Sequence, residues 1–147
     1  MPYLLSHPFF RIHPSSSGNE GAVCFGLDAS NITFKEIFKS IGGDVQIDDN
    51  PQLSNITFNN LTHIGRGLRI KNNESLKNLN GMEKLSSVGN IYNEDKGYSI
   101  SITNNKSLEN YCGLNYLFTK GTYYKTVINS NRYNFGEKEM AEGNCSI

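Results

Sequence analysis

One short phrase, apolar-x-apolar-x-x-Asn, returns four times in this chain. It appears as Val45-Gln-Ile47-Asp-Asp-Asn50, Leu68-Arg-Ile70-Lys-Asn-Asn73, Ile100-Ser-Ile102-Thr-Asn-Asn105 and Thr126-Val-Ile128-Asn-Ser-Asn131. Successive asparagines stand 23, 32 and 26 residues apart. Recurrence at such a period means stacked supersecondary units, none of which can bury its apolar face alone. A fainter copy, Val23-Cys-Phe25-Gly-Leu-Asp28, lies one repeat upstream, so about five coils are expected, with ladder positions Asp28, Asn50, Asn73, Asn105 and Asn131.

Within each phrase the apolar residues alternate with polar ones, the pattern of a short strand with one buried face. The chain must turn where the strand ends. An asparagine amide pointing inward there can bond the backbone of its own turn and of the next coil, satisfying groups otherwise stranded beside the core. Glycines at 42, 43, 65, 67 and 89 precede the strands, where a corner is expected to need backbone angles that side chains resist. Leu53, Ile56, Phe58 and Leu61, with Leu76, Leu79, Met82 and Leu85 one coil later, fill the interior between corners.

A length of 147 residues suits one repeat domain, and 14 basic residues balance 14 acidic ones. No net field therefore draws the protein to nucleic acid or to an acidic membrane. No apolar run approaches the ~18 residues of a membrane span. Residues 1–21 read as a flexible leader or linker with no visible signal peptide; the other reading is a flap that lays Phe9, Phe10 and Ile12 on the first coil. The repeat domain then covers 22–147.

The C-terminal third breaks the rhythm. Asn110 to Phe118 has apolar residues at helical spacing, and Asn134 can cap a helix from Phe135 to Glu142 with Glu137 as its capping-box partner and Gly143 as its stop. Residues of about 111–147 are thus expected to form a helical cap over the last coil, as solenoids require. Cys112 opens this region and Cys145 closes it. A disulfide between them would tie the lid to the stack, leaving Cys24 as an odd thiol directed away from the core; the alternative is three reduced cysteines in a cytosolic protein.

The phrase Ile64-Gly-Arg-Gly-Leu68-Arg-Ile70-Lys-Asn-Asn73-Glu-Ser-Leu76 resembles the repeat of the receptor L domain, the leucine-rich-repeat-like β-helix of insulin and epidermal growth factor receptor ectodomains. It is more similar still to the L-domain-like repeats of bacterial secreted and cell-surface proteins, which close with stretches like Tyr111-Cys-Gly-Leu114, Asn131-Arg-Tyr-Asn134 and Gly143-Asn-Cys145-Ser. The resemblance spans about residues 22–147. The step of four from Ile64 to Leu68 and of three from Asn73 to Leu76 departs from the ordinary leucine-rich repeat. The fold class implied is mainly β: a short right-handed, single-stranded parallel β-helix with a C-terminal cap. The location implied is extracellular or at the cell surface.

Little in the chain suggests chemistry. His7, His13 and His63 have no metal-ligand spacing, and Asn93, Glu94 and Asp95 lack the ligand count of a calcium loop. No catalytic residue, metal or cofactor is expected. The stretch 91–97 is an insertion at a corner and a candidate functional loop. Six Asn-x-Ser/Thr sequons occur, at Asn31, Asn55, Asn60, Asn73, Asn105 and Asn144, but two of them are ladder positions whose amides should be buried.

What remains is the polar side of the strands. Asp44, Gln46, Asp48, Arg69, Lys71, Ser101 and Thr103 should face outward, and flat regular faces of this kind are how solenoids hold partners. The expected function is a non-catalytic recognition or scaffold module for a protein or glycan. The competing expectation is a β-helix enzyme acting on polysaccharide, which would need several carboxylates or basic residues converging on one face.

Overall fold

Strand, corner, strand, corner: each coil of the molecule repeats one sequence of events. The computed structural model describes residues 10–14, 20–25, 30–34, 39–89 and 97–147, and there the chain winds as a parallel-stranded β-solenoid of about three turns. The strands are β1 Phe10–Pro14, β2 Glu20–Phe25, β3 Asn31–Phe34, β4 Ser40–Ile41, β5 Val45–Asp48, β6 Asn55–Phe58, β7 His63–Ile64, β8 Leu68–Lys71, β9 Ser87–Val88, β10 Ile100–Thr103 and β11 Thr126–Asn129. Two short helices follow the third turn, α1 Asn115–Lys120 and α2 Glu137–Ala141.

They form three sheets, ordered β1-β2-β5-β8-β10-β11, β3-β6 and β4-β7-β9. All pairs are parallel except β1 with β2. In the long sheet Val45, Leu68, Ile100 and Thr126 stand in one row, and Ile47, Ile70, Ile102 and Ile128 in the next. The inward members of the first three strands are fully buried, joined by Leu53, Leu76 and Leu108 on the way round. Each such side chain contributes about 1.5–3 kcal/mol by leaving water. Ile128, on the last strand, is only partly buried against this core.

Four expectations need correction. The first is the coil count: five ladder phrases give about three turns. A phrase marks a strand of the long sheet, whereas a turn also needs the other two faces, and after β11 the chain leaves for α2 instead of going round again. The second is the register of the first phrase. Ala22 pairs with Val45 and Cys24 with Ile47, so Val23 and Phe25 do not occupy the positions expected for them. The backbone of Cys24 thus shares the register position of Ile47. Its side chain and thiol state, Asp28, and residues 91–96 of the insertion lie outside the described residues. Within the expected leader, Phe10–Pro14 runs antiparallel to Glu20–Phe25.

The third correction is the cap. A 3-10 turn, Cys112–Leu114, leads into α1, and α2 is capped at Gly136, whose N–H donates to Glu139 Oε2 at 2.8 Å. Asn134 does not cap this helix. Its Oδ1 accepts the Asn131 backbone N–H at 3.0 Å, while Glu137 Oε1 accepts the Thr126 N–H at 2.9 Å. Two side chains thereby replace the coil that would come next. The fourth concerns the corner glycines. Neither Gly65 nor Gly89 has a positive φ; instead a Cβ would lie 2.2 Å from the Gly42 carbonyl oxygen or 1.9 Å from that of Gly65. Close approach of stacked backbones, not backbone angle, demands glycine there.

Candidate functional site

Two polar arrays run along the stack, one inside and one outside. The inner one is the asparagine ladder. The Nδ2 of Asn50 donates to Oδ1 of Asn73 at 3.0 Å, Asn73 to Asn105 at 3.2 Å, and Asn105 to Asn131 at 3.0 Å. Each of these Oδ1 atoms also accepts the backbone N–H of the preceding asparagine, and each Nδ2 from Asn73 onward donates to a strand carbonyl of the preceding coil, Ile47, Ile70 or Ile102. Asn134 closes the series by accepting from Asn131 Nδ2 at 3.0 Å.

A second, outer ladder went unread in the sequence. Asp49, Asn72, Asn104 and Ser130, each just before a ladder asparagine, all have φ of 56–58°. That left-handed bend is where Asp and Asn are tolerated best among residues with a Cβ. Asn72 Nδ2 donates to Asp49 Oδ1 and Asn104 Nδ2 to Asn72 Oδ1, both at 2.6 Å. The Asp/Asn preference of that position was the available signal.

The lid is pinned by the Cys112–Cys145 disulfide, with Cα atoms 4.9 Å apart. Beside it the Tyr111 N–H donates to the Cys145 carbonyl at 2.7 Å. The Tyr111 hydroxyl is buried and donates to the Tyr133 carbonyl at 2.7 Å. Burial pushes its pKa well above the ordinary tyrosine value, and a hydrogen bond involving Asn131 partly opposes this.

The outer face of the long sheet carries the residues expected to bind. Strand register sets Gln46, Arg69, Ser101 and Val127 in one row and Asp48, Lys71, Thr103 and Asn129 in the next. The rows do not pair straight across. Arg69 reaches diagonally, donating from Nε to Asp48 Oδ2 at 2.8 Å, from Nη2 to the same oxygen, and from Nη2 to Gln46 Oε1 at 3.2 Å. The bond to Asp48 raises the guanidinium pKa, against partial desolvation, and Tyr98 adds to the same effect. Asp48 is 5% exposed, yet its Oδ1 has no hydrogen-bond partner.

The other expected residues are placed differently. Asp44 belongs to the corner: its Oδ1 accepts the Gly67 N–H at 3.0 Å, and Arg66 Nε stands 3.9 Å from its Oδ2. Ser101 is buried beneath its neighbours, and Thr103 is half-buried. Lys71 is exposed, with no ion pair among the described residues. The structure thus gathers Gln46, Asp48 and Arg69, and leaves Asp44, Lys71 and Thr103 outside that cluster.

Sequence reading missed two tyrosines, Tyr98, which interacts with Arg69, and Tyr124, one coil farther along the stack. Tyr98 and Tyr124 each lie two residues before a strand of the long sheet, on consecutive coils. The Tyr124 N–H donates to Ser99 Oγ at 2.7 Å, and the Tyr124 side chain is 68% exposed. Their equal offset from Ile100 and Thr126 was a legible signal.

Among the described residues no three His, Cys, Asp or Glu side chains come together as metal ligands, and no helix is long and apolar enough to cross a membrane. Compared with family models, with curated proteins and with solved structures, the chain matches none.

Proposed function

We propose that this chain is a non-catalytic recognition or scaffold module of a secreted or cell-surface protein, of the L-domain kind, which presents the outer face of its long sheet to a protein or glycan. The observation that carries the reading is the polar cluster on that face, where a buried Asp48 oxygen lacks a partner beside a half-exposed Arg69. A polar group buried without a bond costs about 1–3 kcal/mol, a cost that a docked donor would offset. The disulfide in the lid supports an oxidising compartment, where such bonds persist. Polysaccharide cleavage would need two carboxylates free to act; Asp44 and Asp48 are each held by neighbouring groups.

Reversal of Arg69 would leave Asp48 buried and unpaired, so the test uses its neighbours. Lys71→Glu with Thr103→Arg places opposite charge and bulk on the face while sparing the Asp48–Arg69 pair. Arrays of extracellular proteins and of oligosaccharides, probed with the parent and the double variant, should show a bound spot that the variant loses at an unchanged melting temperature. Equal binding by both would refute the strand face as the docking surface.

A further inference from the structure

We propose that the strip from Tyr124 across Tyr98 and Arg69 to Asp48 is a binding site for neutral carbohydrate, held by stacking at one end and by paired acceptor and donor groups at the other. This deepens the strand-face reading and rests on it.

Electrostatics select the ligand class. Asp48 Oδ1 is an acceptor oxygen, on a side chain more than nine-tenths buried, without a partner, so it needs a donor. An anion would meet this carboxylate at close range. A cation would meet Arg69, already drawn to Asp48, and the exposed Lys71 in the neighbouring row. A sugar hydroxyl avoids both repulsions, because one oxygen can donate to a carboxylate and accept from a guanidinium.

Arg69 is prepared for this role. Its Nε and Nη2 are fixed on Asp48 and Gln46, which holds the planar group in place, and 36% of its side chain faces solvent. Because Asp48 Oδ1 is buried, a ligand reaches it only as these bonds open, so they are exchanged for bonds to the ligand. Arg69 is the long, part-exposed side chain bonded over Asp48, and its rotation is the movement that admits the ligand hydroxyl to Oδ1.

Aromatic placement gives the strip its direction. Tyr124 is the largest apolar exposure in the long-sheet region, and Tyr98, half-buried, sits one coil back toward Arg69. Tyrosine offers an apolar ring with a wet hydroxyl, which suits the C–H face of a sugar. From the coil of β11 to that of β5 is three steps of ~4.8 Å, about 14 Å, a length that seats a short oligosaccharide along the solenoid axis.

The test is isothermal titration of the disulfide-intact protein with neutral gluco-, manno-, xylo- and galacto-oligosaccharides, and with heparin and polygalacturonate as charged comparisons. A neutral series should bind, and the charged polymers should not bind more tightly. Asp48→Asn and, separately, Tyr124→Ala should each weaken binding by about tenfold or more, the scale of a lost hydrogen bond to a charged group. Tyr124 is on the surface, so its variant remains informative if the Asp48 variant fails to fold. Absence of binding to every neutral series, or unchanged affinity in Tyr124→Ala, overturns the inference. If a protein ligand is lost by Lys71→Glu with Thr103→Arg while no neutral sugar binds, the inference fails and the strand-face reading stands.

Discussion

Replacing Asn105 by alanine tests the inner ladder at its best-connected rung. The side chain makes two kinds of bond that no neighbour can replace. Its Oδ1 accepts the Asn73 backbone N–H at 3.0 Å, and its Nδ2 donates to the Ile70 carbonyl at 3.1 Å. Both partners sit where no water reaches: Asn73, Asn105 and Ile70 are all fully buried. Asn73 Nδ2 keeps its bond to Ile47, and Asn131 Oδ1 keeps the Asn105 backbone N–H, so these losses are partial. Two stranded buried groups at about 1–3 kcal/mol each give a cost of ~2–6 kcal/mol, a large share of the 5–15 kcal/mol that holds an ordinary domain. Urea unfolding should show a lower midpoint at an unchanged slope, since the surface exposed on unfolding hardly changes. Asn105→Asp should be worse at neutral pH, because a carboxylate would face the Ile70 carbonyl with no proton to give. A cost below about 0.5 kcal/mol for the alanine variant, the range of ordinary surface changes, would show that the ladder ornaments the turns instead of holding them.

Four further outcomes follow from the same geometry. Thiol titration of unreduced, unfolded protein should find one reactive group, Cys24, and reduction should lower stability by roughly 3–4 kcal/mol for a loop of this length; three reactive groups would refute the disulfide. Gly65→Ala should destabilise strongly or prevent folding, because its Cβ would lie 2.2 Å from a backbone oxygen, whereas Gly136→Ala meets nothing closer than 3.5 Å and should change little; similar midpoints for the two would refute close approach as the reason for glycine. Tyr111 ionises less readily folded than unfolded, so its contribution is complete below its unfolded pKa of about 10 and is lost as pH rises beyond it; Tyr111→Phe should flatten that alkaline decline, and an identical decline would refute the assignment. Glu137→Ala should cost about 1 kcal/mol by exposing the β11 edge at Thr126, read as a shift in urea midpoint that Glu137→Gln partly restores.

How much of this could be read in the sequence depended on how often a feature repeats. The solenoid, its buried rows and the asparagine positions were legible because the same constraint returns at Asn50, Asn73, Asn105 and Asn131, and chance does not reproduce it. The outer ladder shared that advantage, but Ser130 and Asp49 blur a position that has only one asparagine pair. Ends were harder, since each occurs once. At the first phrase Val23 and Phe25 look as good an alternating pair as Ala22 and Cys24, and only the strand pairing to Val45 and Ile47 decides between them. At the last, Asn134 has the look of a helix cap, and nothing local says that its amide is needed by Asn131. The Asp48–Arg69 diagonal was hidden for a different reason: register places Asp48 beside Lys71, and side-chain reach, which sequence spacing does not contain, overrides it.

That diagonal separates what holds the molecule from what it presents. A buried ion pair recovers its desolvation cost only when its remaining lone pairs are satisfied, and replacement by well-packed hydrophobic residues of like size is often without penalty. Here one oxygen of Asp48 is left over, so stability alone gives no reason for the pair, and on β10 the same two rows are filled by the uncharged Ser101 and Thr103. Asp48→Asn combined with Arg69→Met removes both charges, with an isosteric change at 48 and an unbranched apolar side chain at 69. Its stability should fall within about 1 kcal/mol of the parent, against several for Asn105→Ala, although both sites are buried and polar. Binding should move the other way: lost in the double neutral variant, and kept, per folded molecule, in Asn105→Ala. A double variant that unfolds as readily as the ladder variant would return Asp48 and Arg69 to the scaffold and remove the main reason to place a ligand beside them.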